Sequence, residues 1–271
     1  MTTLAVAVIG TDHDGLPLAR RAAEIGTLAG VDAEVVVLPE PVDAARVERL
    51  PERYRVVYLT RTDPRRAHEV GERAAERDQR LVVTDQDGIA AALCAAALTH
   101  LRTVERSPDV ARVVVAGDGH LPGLVPLLMI AGMYDLVAWQ DAHAAAFPWE
   151  RAVQGADVVI DLRPGPDAAA QTARIALDRP EGSVLRPVDA VWADHVVAGV
   201  LRVALACPPG SMHVELDMLR TVAVAIAATT PPPGHGRLAA ATVTDLVAAA
   251  VRRTIDPRLA ELRSVDDLEG A

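Results

Sequence analysis

The chain has 271 residues, 37 acidic and 27 basic side chains, a formal net charge of −10, and 51% hydrophobic residues of which few are aromatic. That length accommodates one large α/β unit or two small domains, and a core so poor in rings has to be built from Ala, Val and Leu, as when helices pack on a parallel sheet. The acidic balance, with arginines scattered among acids, excludes a nucleic-acid surface, and no apolar run approaches the ~18 residues of a membrane span.

The opening MTTLAVAVIG lacks a basic n-region and its apolar stretch is short for a secretory signal, so the expectation is a cytoplasmic protein. Lysine and asparagine are both absent, so every one of the 27 basic residues is arginine. Arginine keeps its proton up to a pKa above ~12, which rules out a lysine general base, a Schiff base or a P-loop lysine. Cys94 and Cys207 sit in apolar, Ala-rich settings that support neither a disulfide framework nor a cysteine zinc site.

In chain order, LAVAVI at 4–9 reads as a buried strand, 16–29 as a helix and AEVVVL at 33–38 as a second strand. RVVYL at 55–59 is a further strand, 64–79 a charged helix, RLVV at 80–83 a strand, and Ile89 to Val104 a buried Ala/Leu helix. RSPDVA then makes a turn, so the predicted boundary lies near Ser107 and Pro108. Residues 1–107 form an N-terminal α/β lobe, and 108–271 a Rossmann-type domain whose sheet, from about Asp109 to Asp161, uses strands at 112–116, 135–139 and 157–161. Apolar helices follow at 189–207, 212–228 and 238–254, with PPPGHG as a stiff linker and the helix 189–206 placed to pack back on the first lobe.

The strongest local signal is VVVAGDGHLPGLVPLLMIAGMYDLVAWQD, where Gly117, Gly119 and Gly123 follow a strand and open a helix. Such glycines let the backbone approach a pyrophosphate, which then meets the positive end of the helix. The spacing is GxGxxxG, with Pro122 in the usual third-glycine place, and Asp118, His120 and Leu121 crowd the anion path. After the next strand, Gln140 and Asp141 occupy the ribose-binding positions. No arginine directly follows that strand to pair with a 2′-phosphate, so NAD is favoured over NADP.

The segment LVVTDQDGIAAALCAAALTHLRTVERSPDVARVVVAGDG carries an acidic turn into an Ala-rich helix and on into the glycine loop. This order resembles malic enzymes, and AGVDAEVVVL, GADVVIDLRPGP and HVVAGVLRVAL are similar to further stretches of that family in the same order, together spanning residues 15 to 225. The resemblance implies a two-lobe α/β architecture, a nicotinamide dinucleotide and a homodimer. It also implies which roles are lost. The family's lysine base aligns with Arg21, its Glu-Asp metal pair with Leu59 and Thr60, its acidic pair before the glycine with Thr84 and Asp85, and its substrate asparagines with Trp192 and Ala193. The family's tyrosine-bearing N-terminal region has no counterpart, and the stretch from Pro166 to Arg186 is shorter than the family's. One surviving metal carboxylate argues against Mg²⁺ or Mn²⁺.

Histidine is the remaining neutral-pH base. His13 lies in GTDHDG, flanked by Asp12 and Asp14; His195 follows Asp194 on the helix expected to face the cleft; His120 lies in the glycine loop. TDQDG also reads simply as a helix cap, with Asp85 and Asp87 in the turn.

Three functions follow. The first is a diverged NAD(P)-binding protein acting on a small anionic substrate, with His13, Arg21, Asp85 and His195 as candidate catalytic groups. The second is a non-catalytic pseudoenzyme or regulatory protein on the same scaffold. The third is a minimal malate or 2-hydroxy-acid dehydrogenase. The Ala-rich helices 89–104 and 189–206 suggest a homodimer surface.

Overall fold

The computed structural model describes residues 4–10, 17–38, 42–76, 80–208, 210–231 and 238–269, with the side chains of 75, 76 and 256–269 left aside. Two four-stranded sheets, both wholly parallel, carry the described chain. The first contains β1 (Val6–Gly10), β2 (Ala33–Val35), β3 (Val56–Thr60) and β4 (Leu81–Thr84) in the order β2-β1-β3-β4. Residues of β3 are buried throughout, so its sequence is continuously apolar rather than alternating, as expected of a strand covered on both faces. Between the strands run α1 (Leu18–Ala29), α2 (Ala44–Glu48) and α3 (Pro64–Glu76).

Helix α4 (Asp85–Thr103) follows β4 without a loop. The helix read from the sequence as starting at Ile89 begins four residues earlier, because Thr84 and Asp87 form a reciprocal capping box. The second sheet contains β5 (Arg112–Ala116), β6 (Asp135–Trp139), β7 (Val158–Asp161) and β8 (Val184–Leu185) in the order β6-β5-β7-β8, with α5 (Leu124–Ile130), α6 (Trp149–Val153) and α7 (Pro166–Leu177) between them. In both sheets the chain goes from the first strand to one side and then returns to the other. The carboxyl ends of β1 and of β5 are therefore topological switch points, where α/β proteins bind ligands.

Three helices complete the chain: α8 (Ala193–Ala206), α9 (Leu216–Thr229) and α10 (Ala240–Glu269). Helix α8 packs on α1, α4, β3 and β4, which places it against the first lobe, while α9 lies on α4 and α5. The approach is close enough that two glycines are required. A Cβ on Gly88 would stand 2.5 Å from the Ala193 carbonyl oxygen, and one on Gly199 would stand 2.5 Å from Val247 Cγ1. The largest buried cluster runs from Val6 and Tyr58 through α4 to Val113 and Ile160, so one continuous core joins the two sheets. Among the described residues no helix is long and apolar enough to cross a membrane.

The final helix, read from the sequence as ending at residue 254, continues to Glu269. The helices at 89–104 and 189–206, which the sequence offered as exposed apolar surface, are covered within the chain: residues from Ala90 to Leu101 and from His195 to Ala204 are largely buried.

Candidate functional site

The crevice over β5 is built from the loops after β5, β6 and β7. Gly117 ends β5 in a left-handed conformation, φ 72°, and a Cβ there would stand 3.0 Å from Arg163 Cγ, so only glycine fits. Gly119 and Gly123, by contrast, face open space. Asp118 to His120 form a 3₁₀ turn, and α5 begins only at Leu124 and lasts seven residues. The helix that a pyrophosphate would meet is thus set back from the first glycine by that turn. Gln140 Nε2 donates to Asp118 Oδ1 over 2.9 Å, tying the loop after β5 to the residue after β6, while His120 is exposed.

Arg163, which the sequence reading passed over, fills the space between them. Its Nε and Nη2 donate to the two oxygens of Asp161, both over 2.9 Å, and its Nη1 reaches Asp141 Oδ1 at 3.3 Å. Its guanidinium carbon lies 4.9 Å from the Trp139 ring centre and 4.4 Å from that of Trp149. Thr172 donates to the same Asp161 carboxylate. The Arg163 and Asp161 side chains are 4% and 2% exposed. Burial opposes the Arg163 charge, but hydrogen bonding and Coulomb attraction to Asp161 and Asp141 outweigh it and raise its pKa. From the end of β7, then, one side chain spans β5 to reach Asp141 in the loop after β6. The signal in the sequence was the bulky charged residue in DLRPGP, two positions after β7, the strand beside the switch point.

A second centre lies between the first sheet and α8. Arg21 of α1 grips Asp194 of α8 bidentately, with Nη1 to Oδ2 at 2.6 Å and Nη2 to Oδ1 at 2.5 Å, and Nη2 also donates to the Tyr58 hydroxyl over 2.7 Å. Burial works against the Arg21 charge, yet its hydrogen bond to Asp194 leads the forces that hold it firmly protonated. Burial also pushes the Tyr58 phenol up to about 12 against the pull of Arg21.

Asp85, the surviving acidic position, accepts the Arg61 backbone N–H over 2.8 Å and the Thr60 hydroxyl over 3.3 Å. Its carboxyl is raised by burial, an effect those bonds oppose. Arg61 adopts φ 52°, a left-handed turn at the end of β3 that accompanies this bond.

His195 does not face the cleft. Its Nδ1 pairs with Thr244 Oγ1 of α10 over 2.8 Å and its ring stands edge-on to Trp192, with burial lowering its pKa. Asp194, its neighbour, points the other way to Arg21, as adjacent helical positions must. Of the catalytic candidates, the structure brings Arg21 and Asp85 to one region and puts His195 on the α10 side of α8. His13, with Asp12 and Asp14, lies outside the described residues. The donor set does not fit Mg²⁺ or Mn²⁺: Leu59 is buried in β3, Thr60 and Thr84 offer only hydroxyls, and Asp85 is engaged by its own chain. Among the described residues no group of three His, Cys, Asp or Glu side chains could hold a metal ion.

No protein-family model matches the chain, and no curated protein sequence matches it. Solved structures do. The NAD-dependent malic enzyme of Thermotoga maritima superposes with a TM-score of 0.70 at 19% identity, over 92% of this chain and 84% of that one. The fold is that of the malic enzymes. Malic enzyme from Pyrococcus horikoshii aligns with a TM-score of 0.73 at 18% identity, over 94% and 76% of the two chains. That of Entamoeba histolytica gives 0.70 at 17%, over 94% and 69%. The α/β architecture expected from the sequence, a Rossmann-type parallel sheet preceded by a smaller α/β lobe, stands, and the sheet of the first lobe is parallel as well.

Proposed function

We propose that the protein is a non-catalytic binding or regulatory protein on the malic-enzyme scaffold. The observation that carries this reading is Arg21, which by resemblance stands in the place of the lysine base and is bound bidentately by Asp194. A guanidinium so held cannot take a proton from a hydroxyl group. Around it, Tyr58 stays protonated at neutral pH, Asp85 is occupied by the Arg61 N–H and Thr60, and His195 pairs with Thr244.

The nucleotide crevice supports the same reading. The Thermotoga relative is described as NAD-dependent, but here Arg163 with Asp161, and Gln140 with Asp118, bridge the three strand ends where a dinucleotide would lie.

A second reading has its own observation. Left-handed Gly117 and the open space at Gly119 and Gly123 leave a phosphate path on the α5 side of the loop. This favours a protein that binds NAD or NADP and acts on a small anionic substrate by a chemistry other than decarboxylation of malate.

Calorimetric titration with NAD⁺, NADH, NADP⁺ and NADPH, beside an absorbance assay for nicotinamide reduction with malate and other 2-hydroxy acids in the presence of Mg²⁺ or Mn²⁺, separates these readings. The expected result is no reduction with any substrate. Reduction would overturn the proposal; dinucleotide binding that is lost in Gly119→Trp, without turnover of malate, would move the conclusion to the second reading.

A further inference from the structure

With both inherited sites engaged by the chain's own side chains, a third cavity becomes the place to look for a ligand. We infer that the cleft between α4, α9 and the segment joining β8 to α8 binds a small, neutral, mainly apolar molecule the size of a single ring; the inference rests on the reading of the chain as a binding protein.

On α4, Ala92, Ala95, Ala96 and Thr99 line the cleft at helical spacing, so they share one face. Their short side chains leave room opposite Leu185, Trp192 and Ile226, and the resulting cavity measures about 180 Å³. An apolar cavity of roughly 150 Å³ is enough to take benzene.

The chemistry of the walls decides the ligand class. Thr99, Thr103 and Thr230 are the hydroxyls on the lining, and each donates to a carbonyl of its own helix, at Ala95, Thr99 and Ile226. His100 bonds the Glu181 backbone, and burial lowers its pKa so that the ring is neutral. These groups send no donor to a ligand. Two carboxylates also border the cleft: Glu181 is exposed, and Asp189 accepts the Arg186 backbone N–H. They disfavour an anion, and a cation would give up its hydration against a mostly apolar wall. What remains is apolar contact with alanine, leucine and isoleucine and with the Trp192 ring, the arrangement of a small-molecule pocket rather than of a catalytic one. Val191, on the lining yet 67% exposed, gives the cleft an apolar mouth.

Trp192 also reports occupancy. It precedes α8, stands edge-on to His195, and lies two residues before the Asp194 that holds Arg21. The test uses the full chain and three probes of one size: benzyl alcohol, benzoate and benzylamine, followed by tryptophan fluorescence and thermal melting.

Benzyl alcohol is expected to change the fluorescence saturably and raise Tm, with benzoate and benzylamine at least tenfold weaker. Trp192→Phe should remove the fluorescence response and keep the Tm shift, and Ala95→Leu, which fills the cavity, should remove both. If Ala95→Leu fails to fold, Ile226→Phe fills the same space from α9. The inference is overturned by no saturable response in the wild type, by a response that survives the filled cavity, or by charged probes binding as tightly. Failure of the parent reading shows separately, as nicotinamide reduction in the dinucleotide assay.

Discussion

Arg21 and Arg163 decide most of what this protein can do, and each does so through a buried or half-buried carboxylate. Replacing Arg21 by lysine restores the residue type of the family's base but places it between Asp194 and Tyr58, where its ammonium remains paired. The expected outcome for Arg21→Lys is therefore no malate-dependent nicotinamide reduction, read by absorbance, with a stability loss of about 1 kcal/mol because the Asp194 side chain is 44% exposed. Arg163→Ala is a harsher change. It leaves Asp161 as a buried carboxylate with only Thr172 and its own loop as partners, at a cost of about 3–5 kcal/mol in urea unfolding, and Asp161→Ala with Arg163→Ala should recover part of that loss.

Arg163 was legible only as a charged residue in DLRPGP; that it turns back over Gly117 onto the tryptophans is a property of three strand ends meeting. Cys94 is the small buried hydrophobe read from the sequence, and burial pushes its thiol up to about 12.

At the scale of elements, β5 and β6 match the strands read from the sequence to the residue, whereas α4 starts four residues before its apolar run and is fixed by its cap. The capping sequence TDQDG was visible in the chain, and Thr84 with Asp87 makes the cap. Thr84→Ala should lower stability by about 1 kcal/mol in denaturant melts. The cap also sets a pH dependence. Burial raises the Asp87 carboxyl to about 6 from its ordinary 3.8, against the bonds from Thr84. The folded state thus holds a proton the unfolded chain has released, so this group's contribution is full below about 3.8 and is lost as pH rises through about 6. Asp87→Asn should flatten the fall in Tm across that window.

Helix α8 shows the opposite lesson. Its apolar run was readable, but the run does not say which neighbour covers which face. Packing on α10 turned His195 to Thr244 and left Asp194 for Arg21. The required closeness is testable: Gly199→Ala puts a Cβ against Val247 and should cost about 1–3 kcal/mol.

For the whole molecule, the helices first suggested as a dimer surface are interior. A homodimer would have to use other apolar residues, of which Met129, Ile130 and Tyr134 form a group at the end of α5 that is 49%, 40% and 68% exposed. If two chains pair at this group, light scattering at micromolar concentration gives twice the chain mass of 28.6 kDa and Ile130→Asp reduces it to that of one chain; the mass of one chain for the unchanged protein rejects the pairing.

The sequence by itself determined the α/β class, the long strands and helices in their order though not the short α2, α6 and β8, the glycine loop after β5 and the absence of lysine, because hydrophobic period, turn chemistry and residue inventory are local properties. Only the tertiary structure decided the partners of Arg21, Arg163 and His195 and the cleft beside Trp192. Arg21 and Asp194 are 173 positions apart and His195 and Thr244 are 49, and even Arg163, two residues from Asp161, owes its place to Trp139, Asp141 and Trp149; such pairings are set by packing rather than by any pattern along the chain.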